Sequence, residues 1–383
     1  MPHHDNPASG DGGGSIIRAE MSRPQDHHRN QELGSKTHDR IFWHDHPARA
    51  VLYIGNVVPL AEKALIAQIR RMTRSAGARR SHSYVRAGIG DDCAVLRQLP
   101  GYDSLVTSDF SVEGIHFRRD WHSPESVGHR CLTRGLSDIA AMGGEPVAVF
   151  LSLAVPHDLP QSWIDRFLRG LTNLARKHRV TLAGGDTAES PHGIVADIIV
   201  VGRVPEGKGL LRSGARPSDR IFVSGELGGS AAAILQMHRN PRKKLKAAEY
   251  PRHFFPEARI SLGRILREKG LASAMIDTSD GLSTDLAHIC EASGVGAELE
   301  AARIPHARSG KGQSEVELDL ALHGGEDYEL LFTAPPGKRL PSRLGGVPLT
   351  CIGKVTRGRK ILLRNPAGVV SELEPRGWEH FRR

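Results

Sequence analysis

The stretch SPESVGHRCLTRGLSDIAAMGGEPVAVFLSLAV, residues 123–155, reads as one helix, one stop and one buried strand. Ser123 offers a capping oxygen and Pro124 takes the first helical position. The helix runs to Met142 and ends at Gly143-Gly144. Val147–Val155 is a buried strand by composition. The same alternation extends outward in both directions. On the N-terminal side, Glu62–Arg71 places Leu65, Ile66 and Ile69 on one helical face, and Leu105–Ser108 is a short strand that delivers Asp109. On the C-terminal side, Pro160–His178 is a helix with Trp163, Phe167, Leu168, Leu171 and Leu174 at helical spacing. Val180–Ala183 is a strand ending in Gly184-Gly185-Asp186-Thr187, and Ile194–Val204 is another. After Pro205-Glu206-Gly207-Lys208-Gly209 the pattern repeats. Strands fall at 220–224, 274–276, 297–300 and 328–333, and helices at 228–237, 258–269 and 282–293. Strands and helices mixed in both halves predict an α/β or α+β fold.

The chain has 383 residues, enough for two domains, and 39% are hydrophobic, enough for a core. Three segments are expected: an extension over 1–60, an N-terminal domain over 61–206 and a C-terminal domain over 207–383. Residues 1 to about 45 are rich in Gly, His, Asp, Asn and Arg with no apolar period, so they read as a disordered, solvated tail. The tail histidines, His3, His4, His27, His28, His38, His44 and His46, could bind metal adventitiously. Residues 43–59 are ambiguous. The net charge of +9 is diluted over the chain and aromatics are only 5%, which argues against a nucleic-acid binder with stacking platforms. The basic cluster Arg239–Lys246 reads as a solvated loop. Cys93, Cys131, Cys290 and Cys351 form no C-x-x-C pair, so zinc and redox motifs are absent and a reducing, cytoplasmic compartment fits. No apolar stretch approaches the roughly 20 residues that span a bilayer, and the start carries no signal-peptide core.

Chemistry concentrates in seven aspartates flanked mostly by Gly, Ser or Thr: Asp91, Asp92, Asp109, Asp138, Asp186, Asp277 and Asp280. Carboxylates gathered in small-residue turns suit a hard cation such as Mg²⁺, and several Mg²⁺ ions imply phosphate chemistry. The standard nucleotide motifs are missing. No G-x-x-x-x-G-K-[ST] occurs, and Gly88-Ile89-Gly90 lacks the third glycine because position 93 is Cys. Any bound phosphate must therefore be held largely through metal. Each aspartate alone admits a plainer reading. Asp91-Asp92 and Asp186 suit ordinary turns, and Ser279 or Asp280 could cap the helix from Leu282. Asp138 sits near a helix C-terminus, where a carboxylate costs a few tenths of a kcal/mol unless a cation lies close. Its alternative is an exposed polar face. His116 could reach an anion or be structural. Arg212 is a phosphate clamp or a surface arginine. Trp378 is a stacking platform or a core aromatic. Joint occurrence favours the metal reading.

In this order, Gly88-Ile89-Gly90-Asp91-Asp92-Cys93-Ala94, Thr107-Ser108-Asp109, Val112-Glu113-Gly114-Ile115-His116-Phe117, Leu136-Ser137-Asp138-Ile139-Ala140-Ala141-Met142-Gly143, Gly184-Gly185-Asp186-Thr187, Arg212-Ser213-Gly214-Ala215, Asp277-Thr278-Ser279-Asp280-Gly281-Leu282 and Gly324-Gly325-Glu326-Asp327-Tyr328-Glu329-Leu330 resemble the thiamine-monophosphate kinases of the aminoimidazole ribonucleotide synthetase and selenophosphate synthetase superfamily. The resemblance covers about residue 62 to the end and leaves the first 60 or so without a counterpart. It implies a two-domain aminoimidazole ribonucleotide synthetase-like fold, its N-terminal domain forming a barrel-like sheet with a second copy in a homodimer, its C-terminal domain an α/β sandwich. It implies ATP between the domains, bridged by several Mg²⁺ ions. By the resemblance, Asp92, Thr107, Ser108, Asp109, Asp138, Asp186, Asp277 and Asp280 are metal ligands; Gly185, Asp186, Arg212 and Ser279 contact ATP; His116, Glu326 and Trp378 contact thiamine phosphate. The implied activity is direct, Mg-dependent transfer of the ATP γ-phosphoryl to thiamine phosphate, without a covalent enzyme intermediate. Thr107-Ser108 inverts the family's Ser-Thr order while still supplying hydroxyls.

Two superfamily alternatives fit less well. A selenophosphate synthetase carries a reactive Cys or selenocysteine with a Lys near its N-terminus, whereas Cys93 lies inside the Asp-Asp turn. A hydrogenase maturation factor of this superfamily carries a C-terminal Cys, whereas residues 381–383 are Phe-Arg-Arg. A nucleotide-binding regulator without turnover is a third alternative, against which the near-complete ligand set argues.

Overall fold

The computed structural model describes residues 60, 62–74, 84–87 and 95–378. The expected extension apart from Leu60, the ambiguous stretch 43–59 and the turn carrying Asp91, Asp92 and Cys93 lie outside the described residues. In chain order the first part holds α1 (Glu62–Arg74), β1 (Val85–Ala87), β2 (Val95–Leu96), β3 (Tyr102–Val112), α2 (Pro124–Ala141), β4 (Glu145–Val155), α3 (Gln161–Lys177), β5 (Thr181–Glu189) and β6 (Val195–Pro205). Strands β3-β6-β4-β5 form one sheet, with only β4 and β5 parallel.

The second part holds β7 (Arg220–Ser224), α4 (Gly229–Arg239), α5 (Pro251–Phe254), α6 (Ile260–Glu268), β8 (Ala274–Asp277), α7 (Leu282–Ser293) and β9 (Gly296–Glu300). It continues with β10 (Arg308–Ser309), β11 (Ser314–Glu315), α8 (Leu318–His323), β12 (Leu330–Ala334), β13 (Arg343–Leu344), β14 (Val347–Thr356), β15 (Ile361–Arg364) and β16 (Val370–Glu372). Its eight-stranded sheet runs β16-β15-β9-β14-β7-β12-β8, with β13 attached to β14. The connection 206–219 joins the two sheets. The α+β class is as expected from the alternating pattern.

Ser123 caps α2 as its neighbours predict: its side chain accepts from the Ser126 N–H, and Pro124 opens the helix. Residues Val127, Cys131, Leu132, Leu136 and Ile139 of α2 join Phe167, Leu168 and Leu171 of α3 and Ile198 and Val200 of β6 in one core. The last turn of α2 belongs to a different core. Ala140 and Ala141 pack with Leu262 and Leu266 of α6 and with Phe222, Met275 and Phe332 of the second sheet. Helix α2 is thus the element that reaches from one sheet to the other.

Two strand boundaries differ from expectation. β3 is eleven residues long and contains Asp109 rather than ending before it. Its polar alternation hid it, because its outer face is open. β5 does not stop at Ala183 but continues through Gly184-Gly185-Asp186-Thr187, with a register shift that leaves Ala183 unpaired against β4. A bulge absorbs the extra residue while the glycines permit close pairing. β13 to β16 escaped prediction because they are short, polar or, like β14, begin beside a proline.

Helices α2 and α3 cross so closely that a Cβ on Gly170 would lie 2.0 Å from the Glu125 carbonyl oxygen, and one on Gly128 2.0 Å from that of Phe167. Backbone cannot retreat as a flexible side chain would. Gly170→Ala should therefore destabilise the fold by about 1 to 3 kcal/mol, read as a lower denaturant midpoint at unchanged slope.

A carboxylate cluster at the seam between two sheets

Strand alternation sends Thr107 and Asp109 of β3 toward α2, and Ser108 to the opposite face. The Thr107 hydroxyl donates to Oδ2 of Asp138, four residues from the end of α2. Asp138 also shares a hydrogen bond with Asp109. Ser137, beside Asp138, reaches the other way: its Oγ donates at 2.6 Å to Oδ2 of Asp277, the last residue of β8. One β-strand, one helix and one strand of the second sheet therefore bring Asp109, Asp138 and Asp277 together. The cluster lies where the apolar end of α2 enters the second core.

These acids carry the electrostatic signature of crowding. Burial, then the neighbouring charge of Asp138, raises Asp109 and Asp277 to about 7. Burial also raises Asp138 itself. Arg212 pulls the other way on Asp138 and Asp277. No basic side chain occupies the last turn of α2 to offset its partial negative charge. The whole arrangement calls for a cation. Every donor in the cluster is a carboxylate or hydroxyl oxygen, the set that hard divalent cations prefer. Among the described residues no group of three or more His, Cys, Asp or Glu side chains is already set as a coordination shell. The candidate ligands Asp91 and Asp92 are outside those residues.

The loop after β8 is the second half of the site. Asp277-Thr278-Ser279-Asp280 lies against Glu326-Asp327-Tyr328-Glu329, with Glu326 N–H donating to Ser279 O at 2.8 Å and Tyr328 N–H to Thr278 O at 2.9 Å. The carbonyl of Asp280 accepts the Trp378 N–H at 3.0 Å. Trp378, 53% exposed, is therefore pinned beside the same loop instead of packing in a core. Neither Ser279 nor Asp280 caps α7. The N-cap is Gly281, whose N–H is taken by the buried Asp285 carboxylate from inside the helix at 3.0 Å. Burial, then Asp277 and Asp280, pushes the Asp285 carboxyl well above its ordinary value.

Glu326 sits in the left-handed region with φ 65°, as does Tyr328 with φ 52°. Such conformations in bulky residues persist only where the surroundings impose them. Here Arg130 Nη2 donates to Oε2 of Glu326 at 2.5 Å, and Arg134 Nη2 donates to Oε1. Burial alone would raise the Glu326 carboxyl, but the two guanidiniums bring it down to about 2. Arg130 also donates to the His116 carbonyl oxygen at 3.3 Å, and the His116 ring Nδ1 accepts the Val112 N–H. Asp327 accepts from the N–H groups of Gly228 and Ser230 and so ties the loop to the start of α4.

Other expected residues stand apart. The Ser108 hydroxyl donates to Asp197 on the open face of the first sheet, so it does not join Thr107 and Asp109. Asp186 is exposed on edge strand β5 and accepts only a local bond from the Thr187 N–H among those described. Beside it, Gly185 has φ 143°, and a Cβ there would lie 1.9 Å from the Leu151 carbonyl oxygen. No other residue fits. Arg130, Arg134, Ser137 and Asp285 were missed. For the two arginines a signal was present: residues 130, 134 and 138 recur every four positions, a charged stripe on a largely buried helix.

The chain matches two adjoining family models, the N-terminal domain of AIR synthase related proteins over residues 90–204 and the C-terminal domain over residues 216–364. These two matches make the chain an AIR synthase related protein with both the N-terminal and the C-terminal domain. A thiamine-monophosphate kinase of Escherichia coli strain K12 is 41% identical over 314 residues, covering 79% of this chain and 94% of that protein. The crystal structure of a thiamine-monophosphate kinase from Stenotrophomonas maltophilia K279a has a TM-score of 0.68 and 34% identity, covering 79% and 96%. AaThiL complexed with AMPPCP and TMP has a TM-score of 0.65 and 29% identity, covering 84% and 99%. The chain belongs to the thiamine-monophosphate kinase family.

A pH dependence follows from the crowded acids. Asp109 and Asp277 have folded-state values near 7, above the unfolded value of 3.8. Their contribution is fully present below the unfolded value and is lost as pH rises through 7. Above pH 6.5 the opposing effect of buried, neutral His122 and His253 has run its course. In chelator, the melting temperature should fall by several degrees between pH 6.5 and 8.5, and Asp277→Asn should flatten that slope, as differential scanning fluorimetry would read.

Proposed function

We propose that this chain transfers the γ-phosphoryl group of ATP to thiamine phosphate, giving thiamine diphosphate and ADP, with Mg²⁺ held at the aspartate cluster. The observation that carries the reading is the convergence of Asp109, Asp138 and Asp277 from three separate elements. Family membership supports it, as does the relative complexed with AMPPCP and TMP. Asp109, Asp138 and Asp277, with the Thr107 hydroxyl, would hold metal, joined by Asp92, Asp186 and Asp280. When bound, Mg²⁺ neutralises the polyphosphate charge and so weakens its repulsion toward an anionic acceptor.

The remaining work falls to the chain. A terminal oxygen of thiamine phosphate is already anionic at neutral pH, so attack needs no strong base. It bonds to the γ-phosphorus as the bond to the β–γ bridging oxygen breaks, and ADP leaves with that electron pair. Gly185 and Arg212 would cradle the nucleotide phosphates, with Ser279 at the seam. Trp378 offers an exposed aromatic face for the cationic, aromatic acceptor, with Glu326 and His116 close to the same loop. No strong acid or base is required, and catalysis is positioning plus charge neutralisation.

The first sheet supports a second copy in the same reading. Its face away from α2 exposes Val106 at 69% and Phe110 at 57%. Large apolar side chains exposed on one sheet face, here flanking the Ser108–Asp197 pair, mark a surface that normally has a partner. A homodimer that closes two such sheets into a barrel would cover it. We take 61–206 and 207–383 as the two domains, the first of them the dimerisation domain. No helix among the described residues is long and apolar enough to cross a membrane; a cytoplasmic enzyme is part of the same reading.

Two outcomes test this. Asp138→Asn keeps the shape of the side chain but removes its charge; kcat for thiamine diphosphate formation should fall by about 10²- to 10³-fold with the circular dichroism spectrum and melting temperature retained. Near-normal turnover would count against the metal assignment. Val106→Glu combined with Phe110→Glu should halve the mass seen by light scattering. An unchanged mass in that variant would remove the proposed interface.

A further inference from the structure

Helix α2 carries three charged residues on one face at four-residue spacing: Arg130, Arg134 and Asp138. Successive members lie about 6 Å apart along the axis. Asp138 belongs to the carboxylate cluster, and Arg130 and Arg134 grip Glu326. Arg134 is the member in between. It acts electrostatically on Asp109 on one side and on Glu326 and Tyr328 on the other. Its side chain is only 12% exposed.

Two guanidiniums share the single carboxylate of Glu326. Arg130 spends its other donors on His253, His122 and the His116 carbonyl oxygen. Arg134 makes no such set of bonds. Its Nε–H is buried and has no hydrogen-bond partner among the described residues. A buried, unpartnered donor on a permanently charged fork is costly unless an acceptor comes to it. A guanidinium of this kind matches a phosphate oxygen pair in two parallel hydrogen bonds.

Position tells which phosphate. The nucleotide's phosphates belong with the carboxylates, and the aromatic end of the acceptor belongs with Trp378. The Asp280 carbonyl that fixes Trp378 is one residue from the Ser279 carbonyl that fixes Glu326. On the kinase reading, a group lying between the cluster and this loop, beside Arg134, would be the phosphomonoester of the acceptor. We infer that Arg134 is a specificity-determining residue that binds the acceptor's phosphomonoester through its guanidinium fork, with Glu326 and Arg130 as the positioning pair that holds it. This rests on the kinase reading above and deepens it: the site selects an acceptor that already carries a phosphate. Glu326 then serves as counter-ion to the fork as well as facing the substrate.

The test compares wild type with Arg134→Gln and Arg134→Lys. Steady-state rates with Mg²⁺-ATP would be measured against thiamine phosphate. Affinities for thiamine phosphate and for unphosphorylated thiamine would be measured calorimetrically in the presence of a non-hydrolysable ATP analogue. In Arg134→Gln the KM for thiamine phosphate should rise by about 10- to 100-fold, with the KM for ATP changed less than about twofold and thiamine affinity unchanged. The wild-type preference for the phosphorylated ligand should collapse. An unaltered preference with an unaltered KM for thiamine phosphate overturns the inference. So does an equal loss of both ligands, which marks a merely structural role. Should Arg134→Gln not fold, Arg134→Lys keeps charge without the fork, and it must still weaken thiamine phosphate at least about threefold more than thiamine; equality overturns the inference. Failure of the wild-type protein to form thiamine diphosphate would sink the kinase reading itself, and is read separately from any variant.

Discussion

The desolvation of crowded, partly buried carboxylates, with repulsion added to it, is the constraint around which this molecule is arranged. Asp109, Asp138 and Asp277 come from β3, α2 and β8, and nothing but tertiary packing holds them near one another. Hydroxyls of Thr107 and Ser137 satisfy individual oxygens without supplying charge. Burial and proximity lift two of the three acids to about 7. A fold that tolerates this arrangement gains something by it, since replacing the acids with apolar residues would be cheaper. The gain is a preorganised, oxygen-lined seam whose acids ionise readily once a cation arrives.

Helix α2 is the mechanical answer to that constraint. One of its faces is locked into the first sheet and onto α3 through glycines that admit backbone contact. Its C-terminal turn is locked into the second core through Ala140 and Ala141. Small residues at that end permit close approach, and close approach is what carries Ser137 to Asp277. The same rigid rod carries Arg130 and Arg134 to Glu326. Carboxylate cluster and arginine pair are therefore held at a fixed spacing set by helical geometry rather than by loops.

The strained loop 326–329 completes the frame. Two of its residues adopt left-handed backbone conformations. It is clamped from four directions: the 277–280 loop, the α2 arginines, the start of α4 through Asp327, and Arg252 and Arg259 through the buried Glu329. A loop so over-determined can hold backbone strain that an isolated segment would relax. Buried His122 and His253, 2.9 Å apart, fill the space behind Arg130 as neutral rings, their charged forms disfavoured by burial and then by Arg130 itself.

Much of this was legible in the sequence. The capped helix 123–142 and the α+β alternation follow from local chemistry: caps, glycine stops and apolar periods act over a few residues. Expectations failed where a longer-range partner decides. Gly184–Thr187 reads locally as a turn, yet pairing with β4 keeps it in strand. Thr107-Ser108-Asp109 reads as one set, yet the pleat sends Ser108 to the other face. What only the tertiary structure decided is which charges meet: that Ser137 faces Asp277 across 140 residues, and that two arginines of α2 close on Glu326. Those contacts depend on the packing of whole layers, and the pattern along a single chain carries no record of which distant face a side chain will oppose.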